Sequence, residues 1–201
     1  MKTGAMAFMR GLTFPGGQQP VIRGERVYLR YPRMSDFLQW SKLRGESKDF
    51  LSPWEPQWAR DELTKGAFRR RLKRYASEAR QDTAYAFFVF LKSDDTLIGG
   101  CTLSNVRRGV TQCCALGYWI GARFSRQGYM QDAIRALLPF IFQTLGLHRV
   151  EAACVPANEA SKNLLMRTGF RQEGLALRYL QINGEWQDHA LFGLLADEGP
   201  G

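Results

Sequence analysis

Two stretches that read as strands, residues 112–121 and 148–155, are separated by a single helical pattern. That pattern begins near Gly128 and carries Ile134, Leu137, Leu138, Ile141, Phe142 and Leu145 on one face. Apolar residues spaced three and four apart mark the buried stripe of a helix. A helix between two strands returns the chain to its starting edge, so the strands must run parallel. Every other strand has to be accommodated around this unit. Pro139 falls inside the helix, which predicts a kink or an irregular turn there. Gly146 is a good helix stop.

On the N-terminal side, strand patterns at 84–92, 96–106 and 112–121 are joined by a Ser-Asp-Asp turn and by Arg107-Arg108-Gly109. Connections this short imply antiparallel hairpins. Earlier still, residues 26–31 alternate as a strand that Pro32 stops, and Ser35 is placed to cap a helix with the stripe Phe37, Trp40 and Leu43. A second helix is expected over 61–80, with Phe68, Leu72, Tyr75, Ala76 and Ala79 inward. On the C-terminal side, Pro156-Ala157-Asn158 makes a turn, and a short helix with Leu164 and Leu165 inward closes at Gly169. Two last strands, 174–182 and 186–195, meet at Asn183-Gly184, the strongest short hairpin signal. The expected fold is therefore α/β (α+β): about seven strands in a mixed, mostly antiparallel sheet with one central parallel pair, and about four helices. It forms one domain over 25–196, with a flexible leader at 1–24 and a disordered tail at 197–201.

The junction between the first parallel strand and its helix is the best candidate for a ligand. Tyr118-Trp119-Ile120 ends the strand, and Arg123, Arg126, Gln127 and Gly128 lead to Tyr129 and Met130 at the start of the helix. The first backbone N–H groups of a helix lack internal partners and carry the positive end of its dipole. Gly128 has no side chain to keep a phosphate from the backbone. A plain strand-to-helix connection with a turn glycine would look the same. Ligands of open α/β sheets nevertheless favour the C-terminal ends of parallel strands.

Bulk properties narrow the function classes. Twenty-eight Lys and Arg against 19 Asp and Glu give a net charge of +9, which favours an anionic partner. No apolar run approaches the roughly 20 residues of a membrane span, and Arg10 interrupts the short apolar N-terminus, so a soluble cytoplasmic protein is expected. Cys101, Cys113, Cys114 and Cys154 read as small buried hydrophobes of a reducing compartment. No metal site is expected, since His148 and His189 have no ligand spacing with a cysteine.

Two further segments admit two readings each. In 50–58, Phe50, Trp54 and Trp58 stand among Pro53 and Pro56. They form either a plug for the core or a substrate-pocket wall in which Glu55 meets a cationic group. The helix over 61–80 carries Arg69, Arg70, Arg71, Lys73 and Arg74 on its outer face. Such a run is a solvated helix surface or a contact for RNA or an acidic protein.

The element order, Arg126-Gln-Gly-Tyr-Met130, and Asn158-Glu-Ala-Ser161 followed by Gly169-Phe170 together resemble the GNAT superfamily of acyl-CoA-dependent N-acetyltransferases. Within it the chain is most similar to the RimJ/RimL group, which acetylates the N-termini of ribosomal proteins, and there to the ribosomal-protein-alanine branch. Phe50-Leu-Ser-Pro-Trp-Glu-Pro56, Ser104-Asn-Val106, Leu116-Gly-Tyr118, His148-Arg149 and Tyr179–His189 carry that likeness, which spans Val27 to Leu195.

The resemblance implies an acetyl-CoA cosubstrate. Its pyrophosphate would rest on the backbone N–H groups of Arg126, Gln127, Gly128, Tyr129 and Met130. Its pantetheine would pair with Tyr118, Trp119 and Ile120, where the parallel strands splay. Asn158 would hydrogen-bond the cofactor and Ser161 would assist the departing thiolate. Departures are Ser125, where Gln or Arg is common, Met130, where Gly or Ala is common, and Leu180, where the RimL branch has a glutamate proposed as base. That leaves Glu55, His189 and Asp188 as candidates for base or water relay, with Trp54, Glu55 and Asp188 on the acceptor side. The acceptor so implied is the N-terminus of a ribosomal or other protein. A small-molecule amine such as an aminoglycoside or polyamine, or a non-enzymatic RNA or ribosome-assembly role, remain alternatives.

Overall fold

The computed structural model describes residues 20–198. Its eight-stranded sheet has the order β1-β2-β3-β4-β5-β6-β8-β7. The strands are β1 (Val21–Arg23), β2 (Val27–Arg30), β3 (Tyr85–Leu91), β4 (Leu97–Arg107), β5 (Cys113–Ile120), β6 (Arg149–Cys154), β7 (Arg171–Ile182) and β8 (Glu185–Leu195). The helices are α1 (Phe37–Glu46), α2 (Lys48–Leu51), α3 (Lys65–Arg80), α4 (Tyr129–Pro139) and α5 (Glu159–Arg167). Among the described residues only β5 and β6 pair in parallel; the other neighbours are antiparallel.

The unexpected strand is β1. It pairs with β2 from Val21↔Arg30 to Arg23↔Tyr28, inside the stretch read as a leader. Three residues are too few for periodicity to register, and only the waiting edge of β2 makes them a strand. Leader residues 1–19 and the tail residues 199–201 lie outside the described residues. Asp197 and Glu198, read as part of a disordered tail, form a turn, and Glu198 pairs with Arg171 at 3.0 Å.

Two helix starts also differ from expectation. Ser35 does not cap α1. Residues Met34–Asp36 form a 3₁₀ turn in which the Asp36 carboxylate accepts the Arg33 N–H at 2.7 Å and grips Arg30 through both oxygens. The basic helix begins at Lys65 rather than 61, because Thr64 caps it by accepting the Ala67 N–H at 3.2 Å. Asp61 and Glu62 then fold back to pair with Arg70 and Arg71. Pro139 does interrupt α4, and the chain continues as a wide π turn over Phe140–Thr144. At Asn183-Gly184 both residues take left-handed φ, 47° and 90°, as a two-residue hairpin requires.

The sheet separates two apolar layers. On one face, Leu103, Cys114, Leu116, Ile134, Leu137, Ile141, Leu165 and Phe192 form the larger core beneath α4 and α5. On the other, Trp40, Leu43, Phe68, Phe88, Phe90 and Leu97 pack beneath α1 and α3. All four cysteines are free and buried, and burial pushes the Cys101 and Cys114 thiols up to about 12.

One polar cluster ties the end of α3 to the β4–β5 turn. Asp82 accepts from Arg108 at 2.7 and 2.9 Å and from the Tyr85 hydroxyl at 2.6 Å. Burial by itself would raise this carboxyl, but the Arg108 and Tyr85 hydrogen bonds outweigh it and hold it below the usual carboxylate range. A depressed folded-state carboxyl contributes stability above its unfolded pKa of about 3.9 and loses it as pH falls through the folded value. The gap in Tm between the parent chain and Asp82→Asn should therefore be open at pH 7 and narrow below about pH 4. A gap that stays constant to low pH would show that the charge of Asp82 contributes nothing.

Candidate active site

β5 and β6 are in register only from Cys113↔Arg149 to Ala115↔Glu151. Beyond Ala115 β5 continues for five residues, to Ile120, paired with β4 alone. The strand alternates, so its groups can be assigned to one side or the other. Gln112 O accepts from His148 and Arg149 on the β6 side, whereas the Gly121 N–H donates to Ile98 O on the β4 side. Tyr118 and Ile120 thus turn their backbone N–H and C=O into the gap, and Trp119 turns its own toward β4. The close approach of β4 there needs Gly99 and Gly100. A Cβ on Gly99 would lie 2.4 Å from the Trp119 carbonyl oxygen, and one on Gly100 would lie 2.6 Å from the Trp119 indole nitrogen.

The turn into α4 stands beside this gap. Gly128 is its N-cap, with φ 80° and ψ −2°, a conformation open to glycine and strained for other residues. Asp132, in the first turn of α4, points away from the helix mouth. Its carboxylate accepts the backbone N–H groups of Glu25, Arg26 and Val27 at 2.8, 2.6 and 3.2 Å. This anchors Arg26 against the turn. The Arg26 guanidinium donates to Gln127 O at 3.1 Å, covers the Tyr129 ring at 4.7 Å, and would meet a Cβ on Gly128 at 2.8 Å. Arg26 carries no sequence signal, because it lies about a hundred residues from the turn it serves. Met130 directs its side chain into the core, with Sδ 3.6 Å from Cys101 Sγ, so its bulk leaves the mouth of the turn clear.

On the far side of the gap, α5 begins where β6 ends. Asn158 caps it by accepting the Ser161 N–H at 3.0 Å, which leaves the amide NH₂ of Asn158 for a ligand. The Ser161 hydroxyl lies 2.7 Å from the Tyr118 hydroxyl. Burial raises the Tyr118 phenol well above its ordinary value.

Three residues considered for base or acceptor roles are held elsewhere or differently. Glu55 is clamped: both its oxygens accept from Arg44 at 2.7 Å, and Oε2 also accepts from the Trp58 indole at 2.8 Å. Arg44 lies between the rings of Trp58 and Trp119, 4.3 and 4.9 Å from their centroids. Glu55 therefore meets a cation within the chain, and three hydrogen bonds already occupy most of its acceptor positions. Asp188 is also structural. It accepts the Arg178 N–H at 2.8 Å and braces a bulge in β7 between Ala176↔His189 and Leu180↔Gln187, where Arg178 has φ 46°. His189 is 2% exposed; its Nδ1 donates to Gln187 O at 3.0 Å, so its Nε2 keeps a lone pair.

Trp54 remains 37% exposed at the end of a 3₁₀ turn, and Trp58 is the aromatic that joins the clamp. The same loop is tied to the last hairpin, where the Asn183 N–H donates to Glu55 O at 2.9 Å. Beside it opens a cavity of about 420 Å³, lined among others by Lys48, Trp58, Arg60 and Asn183. Arg44 did have a sequence signal: with Trp40, Leu43 and Ser47 it completes the buried face of α1.

An acetyltransferase (GNAT) domain model matches residues 26–171. The chain belongs to the GNAT acetyltransferase family. The probable N-acetyltransferase YjcK of Bacillus subtilis is 33% identical over 175 residues, covering 87% of this chain and 97% of that one. The [ribosomal protein uS5]-alanine N-acetyltransferase of Escherichia coli is 34% identical over 170 residues, covering 85% and 88%. Mycobacterium smegmatis RimJ, solved in complex with CoA-disulfide, superposes with a TM-score of 0.82 at 33% identity, over 91% of this chain and 88% of that one. This GNAT chain is thus an N-acetyltransferase of mixed α/β fold, with RimJ-like relatives along most of its length. Among the described residues no helix is long and apolar enough to cross a membrane, and no cluster of His, Cys, Asp and Glu could hold a metal ion.

Proposed function

We propose that the chain transfers the acetyl group of acetyl-CoA to the α-amino group of a protein N-terminus, with a ribosomal protein as the acceptor class. The observation that carries it is the gap between β5 and β6 beyond Ala115, with the Gly128 turn at its side. The gap offers an extended amide chain the backbone groups of Tyr118 and Ile120. The α4 mouth, Arg26 and Arg126 suit a pyrophosphate. Bound acetyl-CoA would supply the activated thioester. An amide N–H of Tyr118 or Ile120 supplies the donor for the carbonyl oxygen as it becomes anionic, an interaction of the kind that contributes roughly 10²–10³ in rate. Ser161 faces the leaving sulfur, and Asn158 holds the start of α5.

The acceptor class follows from the bases that remain. With Glu55 and Asp188 engaged, His189 is the candidate base that the contacts leave intact. Deprotonation demands little of it for an α-amine, whose pKa is about 7.7–8.0, against about 10.4 for lysine. Roughly a tenth of α-amines are neutral at pH 7, but only about one lysine in two thousand. Exposed Trp54 and the cavity beside Trp58 lie on the acceptor side. The names of the relatives point the same way, to ribosomal-protein alanine and serine. RNA binding by the basic helix has less to support it, since Arg70, Arg71 and Arg74 pair with Asp61, Glu62 and Glu78.

Peptides that begin with alanine and carry one internal lysine test this reading by mass spectrometry. Acetylation confined to the α-amine is expected, and none when that amine is blocked. Modification of the lysine, or transfer only to polyamines or aminoglycosides, would overturn it. A cytoplasmic location accords with such acceptors and is part of the same proposal.

A further inference from the structure

We propose that Tyr118 is a positioning residue for Ser161: its phenol donates to Ser161 Oγ and so leaves the serine's own hydrogen free for the sulfur that departs into the gap. The inference rests on the acetyltransfer reading above. Two hydroxyls 2.7 Å apart share one hydrogen, so one of them must donate and the other accept. The phenol is the stronger donor of the two. Its other acceptor within reach, the Ser161 carbonyl oxygen, is at 3.5 Å, the outer limit of a hydrogen bond. Burial disfavours the phenolate, so Tyr118 keeps its proton and has it to donate in a hydrogen bond.

Ser161 is then held at two points, its N–H by Asn158 Oδ1 and its Oγ by Tyr118. A hydroxyl that accepts a hydrogen bond becomes a better donor, and its rotor is no longer free. Two neighbours bear on its charge state. Cys154, at the end of β6, adjoins the Ser161 hydroxyl, and Lys162 next to it pairs with Glu159 at 2.8 Å. A protonated thiol is a weak acceptor, so Cys154 does not hold the serine hydrogen against an anionic sulfur. In the transfer step the N–C bond forms, the C–S bond breaks with its electron pair on sulfur, and the ammonium proton passes to the base of the reading above, His189, and from it to water. Ser161 donates a hydrogen bond to the new anion without giving up its proton.

The thiol of CoA bound to the protein reads this arrangement without any acceptor. Its thiolate absorbance is titrated against pH, with bound S-methyl-CoA as the reference that cancels adenine and protein tyrosines. In the parent chain the bound thiol should titrate below free CoA measured in the same buffer. Tyr118→Phe and Ser161→Ala should each raise it by about one pH unit, a tenfold smaller thiolate fraction, and the double variant should go no further. CoA affinity should stay within about twofold in both, since neither variant removes a backbone contact. A Tyr118→Phe chain that titrates like the parent, or an effect that persists undiminished in Ser161→Ala, would overturn the positioning role alone. A Ser161→Ala chain that titrates like the parent would remove Ser161 from the reaction and Tyr118 with it. Failure of CoA to bind would overturn the acetyl-CoA reading and this inference together.

Discussion

Gly128→Glu is expected to abolish the rise in unfolding temperature that acetyl-CoA produces in the parent chain. At 100 times Kd, binding adds about 2.7 kcal/mol. Each kcal/mol moves Tm by roughly 2–4 °C for a domain of this size, so the parent chain should gain about 5–10 °C. The substitution acts against binding in three ways. It forces a side chain into φ 80°, a cost of about 1–2 kcal/mol. It drives the Cβ to 2.8 Å from Arg26 Nη2, which displaces the guanidinium from the turn. It sets a carboxylate at the mouth of α4, where the free N–H groups would meet a phosphate. The difference with and without ligand is the quantity to compare, because strain lowers the baseline as well. A rise of the parental size in Gly128→Glu would mean that the pyrophosphate lies elsewhere. Arg26→Ala should reduce the rise without abolishing it, since the backbone donors stay in place.

Glu55→Gln is expected to act on stability first. Arg44 and Glu55 have side chains only 7% and 20% exposed, and Arg44 Nε has no partner among the described residues. Neutralising Glu55 leaves a guanidinium buried between Trp58 and Trp119 without its counter-charge. Breaking one partner of such a pair costs about 3–5 kcal/mol, and the same scaling gives a fall in Tm on the order of 10 °C. Arg44→Met combined with Glu55→Gln should recover much of the loss, because the pair is then removed whole. The clamp also links α1, the 50–58 loop and, through Asn183, the last hairpin, so acceptor KM should rise in the single variant. Thermal unfolding beside steady-state kinetics separates the two roles of Glu55. A Glu55→Gln chain of parental stability whose kcat has fallen a hundredfold would make Glu55 the base after all.

The same contrast between local and long-range order runs through the fold. The α4 stripe needed only its own spacing to be recognised, and with strands on either side it forced the parallel pair. Asn183-Gly184, the stop at Gly146 and the interruption at Pro139 are equally local, because each depends on the φ or the missing N–H of one residue. Boundaries were less legible where a partner decides them. β1 exists because β2 offers an edge, and α3 starts at Lys65 because Thr64 has a hydroxyl in place to cap it.

At the candidate site, residue types and local turns were readable and the partners of the side chains were not. The Gly128 turn stands in a segment whose own pattern announces it, whereas Ser161 was indicated only by the family resemblance. That Tyr118 reaches Ser161 across 43 positions, that Arg26 leans on the turn across 101, and that Arg44 takes the carboxylate of Glu55 are outcomes of the assembled sheet and its two layers. Glu55 and Asp188 show why this distinction matters for chemistry. A carboxylate can be a base, an acceptor anchor or a brace, and its residue type is compatible with all three. Backbone conformation and burial periodicity are written within a few residues of chain, so they can be read in order along it. The hydrogen-bond partner of a side chain is set by which distant elements share its surroundings, and that is decided only when the chain closes on itself.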